Sequence, residues 1–218
     1  MSIIYYLDGV DLLTYGVHVS SSKGLISRPK IKTPVSHNWE TIHGESVDLA
    51  SKYYEAREIE LECFIVASTK QDFITKCGQF FDQFDKAYTR RLMVQVDALD
   101  PLVYEVYIPG EIEIKKEWKE ATMVGTFTLK LREPEPVKRV IRYTRTGEGD
   151  KTVSITVTST KVLNVYWGDG NHAFDLSGNT QTVTHSYTAN GTYYIVVTGC
   201  IDEITSFTTT GTVIWQKL

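Results

Sequence analysis

The sequence predicts a mainly β chain in two parts: a sandwich- or barrel-like N-terminal unit carrying one amphipathic helix, then a small β-sandwich. Three observations predict this. Alternation of apolar and polar residues at period two dominates the first 135 or so residues. One segment there departs to spacings of three and four, and the composition then changes over residues 139–218 to short, threonine-rich alternating runs. At 218 residues, with 42% apolar side chains, the chain can bury one large core or two modest ones.

Taken in order, "YYEAREIELECFIV" sets Ile59, Leu61, Cys63 and Ile65 on one face against Glu58, Glu60 and Glu62 on the other, a half-buried strand. In "STKQDFITKCGQFFDQFDKAY" the apolar positions Phe73, Cys77, Phe80, Phe81, Phe84 and Tyr88 recur at helical spacing. Ser68 or Thr69 serves as N-cap, and Gln71 or Asp72 is placed to complete a capping box. The aromatic stripe has no polar group to orient a ligand, so it is read as packing against a sheet. "RLMVQVDA", "LVYEVYIPGEIEI" and "GTFTLKLRE" are strands, the second bent or bulged at Pro109-Gly110. "LREPEPVKR" then reads as a stiff, solvated linker, because Pro134 and Pro136 each lack a backbone donor and hold the preceding residue extended. The boundary between units 1–135 and 139–218 falls there. Beyond it, "KTVSITVTST", "KVLNVYW", "TQTVTHSY", "GTYYIVVTG" and "GTVIWQKL" are short strands separated by turns, which indicates a β-sandwich.

Charge and cysteine content narrow the function classes. The formal net charge is −4, so no basic field exists to gather phosphates, and nucleic-acid binding is not expected. Residues 139–218 hold 6 Lys+Arg, 6 Asp+Glu and 17 threonines, against 17 and 21 charges of each sign upstream, which supports the division. No apolar run reaches the about 18 residues of a membrane span, and the acidic start lacks the features of a signal peptide. Neither membrane insertion nor classical export is expected. Cys63, Cys77 and Cys200 lie far apart in no metal-like spacing and read as reduced, buried small hydrophobes.

The densest concentration of reactive residue types is "VYWGDGNHAFD", Val165 to Asp175. A calcium site would use Asp169, Asn171 and Asp175, but the EF-hand pattern fails at Ala173 and lacks its Glu. The alternative is a turn: Gly168 and Gly170 supply permissive dihedrals, and Asp169 bonds nearby amides. His37, His43 and Glu45 share one segment, yet their spacing matches no helix-borne metal motif, and a loop or a subunit contact is the plainer reading. No nucleophile elbow, phosphate-binding loop or dinucleotide fingerprint is present. Glu58 and Glu60 alternate with apolar residues as a solvated strand face does. No enzyme, metal or cofactor is expected.

Two resemblances add to this. Trp167, Gly168, Asp169, Gly170, His185, Tyr187, Gly191 and Tyr193, in "VYWGDG…TVTHSYTANGTYYIVVTG", resemble the signature of PKD-like immunoglobulin-fold domains over about 50 residues. The chain departs from that signature at Val165, where the family usually has Trp. The resemblance implies an immunoglobulin-like sandwich, with Trp167, Tyr187 and Tyr193 in its core and His185 hydrogen-bonded to the turn. In the first unit, "YYLDGVDLLTYGVHVSSSKGL", "HGESVDL", "YYEAREIELECFIVAS", a helix, "RRLMVQ" and "GTFTLKLREPEP" follow in the order found in the ring-forming domain of bacteriophage distal tail proteins. Tyr54, Arg57, Ile59, Leu61 and Ile65 match the strand pattern of that family.

The resemblances imply a structural component of a phage or prophage tail tip. Residues 1–135 would form a ring, most simply a hexamer, contacting other tail proteins. Residues 139–218 would face outward toward a host-surface glycan or protein. Such a protein assembles in the bacterial cytoplasm and resides in the virion tail. The rival reading is a secreted or surface carbohydrate- or protein-binding module without catalytic activity.

Overall fold

Antiparallel pairing organises the chain throughout the computed structural model, which describes residues 3–50, 52–119 and 122–217. Residues 1, 2, 51, 120, 121 and 218, which the two expected units include, lie outside the described residues. The first half contains β1 (Ile3–Leu7), β2 (Val10–Asp11), β3 (Val17–Lys23), β4 (Ser36–His37), β5 (Ser46–Val47), β6 (Arg57–Ala67), helix α1 (Lys70–Phe81), β7 (Arg90–Val96), β8 (Leu102–Val106), β9 (Lys115–Trp118) and β10 (Met123–Glu133). The second contains β11 (Lys138–Arg145), β12 (Thr152–Tyr166), β13 (His172–Ser186), β14 (Gly191–Gly199), β15 (Ile204–Thr209) and β16 (Thr212–Trp215).

The charge alternation in β6 decides its orientation. Ile59, Leu61, Cys63 and Ile65 are buried and Glu58 and Glu62 are exposed, as a period of two requires. β6 pairs along its whole length with β10 inside the sheet β3-β6-β10-β9, which faces a second sheet, β2-β1-β7-β8. Leu61, Ile65, Leu92, Tyr104, Phe127 and Leu129 fill the space between them. Just past β8, Tyr107 exchanges backbone bonds of 3.0 and 2.8 Å with Arg132 of β10, so the two sheets join at a corner and take on a barrel-like form.

Helix α1 starts where capping predicts. The Thr69 hydroxyl accepts from the Asp72 amide at 3.1 Å, and Phe73, Cys77 and Phe80 turn inward. It ends at Phe81, seven residues short of the expected stripe. The spacing misleads because Gln83 and Phe84 continue in turns closed on Phe80 and Phe81, which keeps a spacing near three without a helix. Phe84 still packs on Phe80, with ring centroids 5.4 Å apart, whereas Tyr88 is exposed with φ of 66°. The segment after β8 also differs from expectation. Pro109 stops the strand, residues 108–114 pair with no strand, and Ile112 and Ile114 pack on the core from outside it.

In the second half the sheet order is β13-β12-β14-β11-β16, with β15 also pairing to β12. The two strands read in "KTVSITVTST" and "KVLNVYW" are one 15-residue strand, β12. Its register shifts between Val157 and Leu163. Before the shift it pairs with β13 and β15, and after it with β13 and β14, so one bent strand serves both layers. Ile141, Val153, Ile155, Val165, Ile195 and Val197 form the core between those layers. The chain is therefore mainly β, built of antiparallel sandwich layers with one amphipathic helix. No helix among the described residues is long and apolar enough to cross a membrane.

Two expectations are corrected. Cys63 and Cys77 are buried but Cys200 is exposed, because it ends the strand run just before a short 3-10 turn. Burial, with Glu62 adding to it, pushes the Cys63 thiol up to about 12, which makes it inert. The linker is only partly solvated: Pro134 is exposed, but Pro136 and Lys138 are buried, and β11 begins two residues after Pro136.

Candidate functional site

The Val165–Asp175 loop is held from both sides. Trp167 donates its amide to the Asn171 carbonyl at 2.9 Å, which closes the turn, and one Asp169 oxygen accepts from the Asn171 amide at 3.1 Å. The other lies 2.7 Å from His185 Nε2. Burial alone would raise the Asp169 carboxyl, but the His185 and Asn171 hydrogen bonds outweigh it and hold it below its ordinary value.

The remaining motif residues converge here. The His185 ring stacks on Trp167 at 5.1 Å and meets Tyr187 edge-on at 4.8 Å. Tyr187 stacks on Tyr193 at 3.7 Å, and its hydroxyl donates to the Trp167 carbonyl at 2.7 Å. Gly191 opens β14 opposite Arg145. Trp167, Asp169, His185, Tyr187 and Tyr193 thus form one aromatic-lined corner, with Gly168 and Gly170 flanking Asp169 in its turn. Of the candidate calcium ligands, Asp169 has its two oxygens engaged by the Asn171 amide and His185, and the Asp175 backbone amide donates to the Asn164 side chain. His37 stacks on Trp39 at 5.3 Å, while His43 and Glu45 are exposed. No metal-competent group of three His, Cys, Asp or Glu side chains exists among the described residues.

The loop is more than a corner, because its outer side meets the first half of the molecule. Gly168 has φ of 96°, and a Cβ there would come within 2.5 Å of the Arg91 guanidinium and 2.9 Å of the Tyr194 carbonyl. Arg91, on β7, donates through Nη1 to the Tyr194 carbonyl and through Nη2 to the Tyr166 carbonyl at 3.3 Å. Its Nε donates to Glu105 of β8 at 2.6 Å. A cavity of about 280 Å³ lies beside this contact, walled by Asp8, Arg90 and Tyr88 on one side and residues 168–172 on the other. Asp8 accepts from Arg90 Nη1 at 3.0 Å and from the Arg91 amide at 2.9 Å, and Tyr88 tilts against His172 at 4.4 Å.

Below the cavity the joint is apolar. Val103 of β8, Val140 of β11 and Val196 of β14 are fully buried together, with Met93, Tyr166 and Trp215 packed around them. A second fastener sits at the linker. Glu133 accepts from Arg57 Nε at 2.9 Å and from Lys138, and Lys138 also lies over the Tyr104 ring at 4.1 Å. Glu135 accepts from Asn164 at 3.0 Å and from Thr198 at 2.6 Å. Loss of hydration lowers Lys138 to about 8 despite Glu133, and burial pushes Glu133 up. Lys138, lowered this far, is the member that gives up its proton as pH rises past about 8.

Arg91, Glu105, Glu133 and Lys138 were not singled out from the sequence. The available signal was charge inside apolar strands: Glu105 interrupts "LVYEVY", and "YYIVVTG" is too continuously apolar for a strand with one wet face. No protein-family model matches the chain, and no curated protein matches it. Among solved structures, the chain is similar to the SPP1 Dit (gp 19.1) protein, described as a paradigm of the hub adsorption apparatus in phages infecting Gram-positive bacteria. The TM-score is 0.48 at 12% identity, covering 96% of this chain and 97% of that one.

Proposed function

We propose that the chain is a structural component of a phage or prophage tail tip. In this reading residues 1–135 form a ring hub, most simply a hexamer, and residues 139–218 are a PKD-like domain turned outward to host-surface glycan or protein contacts. It acts without catalysis, cofactor, nucleic acid or membrane insertion, and is assembled in the bacterial cytoplasm into the virion tail. The ordered distal-tail-like motifs supply the family expectation.

The observation that carries the reading is how the most reactive-looking loop is used. Gly168 is pressed against Arg91, and Asp169 is consumed by His185 and Asn171, so the loop fastens one half of the molecule to the other. A rigid two-part body suits a piece that must hold its shape within a symmetric assembly. Cyclic closure needs a fixed rotation between copies, which a flexible tether would not preserve.

Light scattering combined with electron microscopy of the full chain, at rising concentration, tests this. Closed rings are expected. A strict monomer at every concentration, or a dimer closed through residues 139–218, contradicts it and favours the surface-binding module.

A further inference from the structure

The cavity of about 280 Å³ beside the loop has features that fastening alone does not require. One part of its wall is aromatic. Tyr88 and His172 line it with ring centroids 4.4 Å apart, and Phe174 stacks on His172 at 4.1 Å. Tyr88 is 68% exposed and Phe174 39%, so two of the three rings stand open to solvent. Tyr88 is also held at φ of 66°, a left-handed conformation that a bulky side chain rarely adopts, and Asp8 on the same wall has φ of 50°. Backbone strain of this kind gathers where geometry serves a site. The rest of the wall is polar. Asp8 accepts from Arg90 at 3.0 Å, and Glu105 accepts from Arg91 at 2.6 Å and from the Thr89 hydroxyl at 3.0 Å. Arg90 gives its other terminal nitrogen to the Ala87 carbonyl, while its Nε is buried and has no hydrogen-bond partner among the described residues.

We infer that this cavity binds one neutral sugar residue, its apolar ring face laid on Tyr88 and its hydroxyls bonded to Asp8, Arg90 and Asn171. The inference rests on the outward-contact part of the proposed reading and names the ligand class and the place. Charge selects a neutral ligand. Each guanidinium in the wall lies beside a carboxylate, and the third carboxylate, Asp169, is held by His185, so no excess of positive charge attracts an anion. The wall therefore offers donors and acceptors together. A phosphate dianion only accepts and a quaternary ammonium does neither, whereas a sugar hydroxyl donates and accepts at once. Volume limits the ligand to a single residue, because the cavity falls just under the about 300–1,000 Å³ of small-molecule sites. The terminal residue or a branch of a surface glycan fits that limit, and several copies of the chain held together would multiply a weak single contact.

Saturation-transfer difference NMR of the full chain tests this with the methyl glycosides of glucose, galactose and N-acetylglucosamine, and with glycerol 3-phosphate and choline as charged probes. At least one glycoside should show transfer to its ring protons, with a dissociation constant of about 1 mM, and the charged probes should show none. Tyr88→Asn removes the ring where Asn accepts the same backbone, and should weaken binding at least about tenfold with the melting temperature unchanged. Arg90→Met should weaken it as well. Tyr53→Asn, which removes a ring that is 59% exposed in the segment between β3 and β6, should leave binding as in wild type. Binding that Tyr88→Asn leaves intact, or transfer to glycerol 3-phosphate or choline in place of the glycosides, overturns the inference. So does the absence of transfer to all three glycosides, and closed rings would then still uphold the ring reading. Glycoside binding lost in Tyr88→Asn, by a chain that never forms rings, upholds the inference and favours the surface-binding module.

Discussion

At the scale of single residues, Gly168 and Asp169 look alike in sequence, as parts of one tight turn, and differ in the structure. Gly168 faces across the joint, where a Cβ would meet Arg91 and Tyr194 and where φ of 96° disfavours any side chain. Gly168→Ala should cost about 1–3 kcal/mol and loosen the two halves, whereas Gly170→Ala, whose Cβ would meet open space, should cost only the positive-φ penalty. Urea titration of both variants measures the difference. Asp169 faces inward, and its effect is titratable. Its folded carboxyl lies below the ordinary 3.8, so its contribution is complete above that value and lost as pH falls through the folded one. Asp169→Asn should be destabilised by about 1–2 kcal/mol at neutral pH, with the gap to wild type closing below about pH 3.8. A gap that stays constant into acid would mean that the carboxylate charge is not what His185 and the Asn171 amide recognise.

At the scale of elements, the sequence was legible where a strand has one wet face. β6 and β10 alternate cleanly, and α1 announces its cap and its buried Phe73, Cys77 and Phe80. It was least legible where strands are buried on both faces. In β8 the run Val103–Val106 is buried throughout, as are Ile195–Thr198 in β14, because one face of each enters a sandwich core and the other enters the joint. Alternation vanishes there, and the joint cannot be read from periodicity. The candidate site was half legible: its eight motif residues were identifiable, but Arg91 of β7, which meets Gly168 and the Tyr166 carbonyl, lies 75 residues before Tyr166, and no local pattern links them. The three strand ends joined by Arg57, Glu133 and Lys138 give an element-level prediction. Glu133→Gln leaves two buried cations without their anion and should cost about 3–5 kcal/mol. In wild type, folded Lys138 titrates at about 8 against 10.5 when free. Between those values the unfolded chain holds a proton that the folded one has lost, so this group adds stability as pH rises. Chemical denaturation from pH 7 to 10 should show that rise in wild type and not in Lys138→Met; equal slopes would show that the buried ammonium keeps an ordinary affinity for its proton.

At the scale of the whole molecule, the prolines of "LREPEPVKR" suggest two bodies on a tether, and the structure has two sets of sheets fastened together. The six-stranded sheet takes its strands from residues 138–215 and the two four-stranded sheets take theirs from residues 3–133. Yet the segment between them is pinned through Glu135, Pro136 is buried, and valines from β8, β11 and β14 close over one another. Proline restricts the backbone of a linker but says nothing of what packs against it, so the burial of Pro136 is not legible in the sequence. If the loop and linker fasten the chain into one rigid piece for assembly, the halves should lose their structure together. Scanning calorimetry of the full chain below its assembly concentration is the direct measurement. A single transition with equal calorimetric and van't Hoff enthalpies is predicted, and Gly168→Ala and Glu133→Gln should lower it as a whole. Two separable transitions, with only one of them moved by either substitution, would contradict the account.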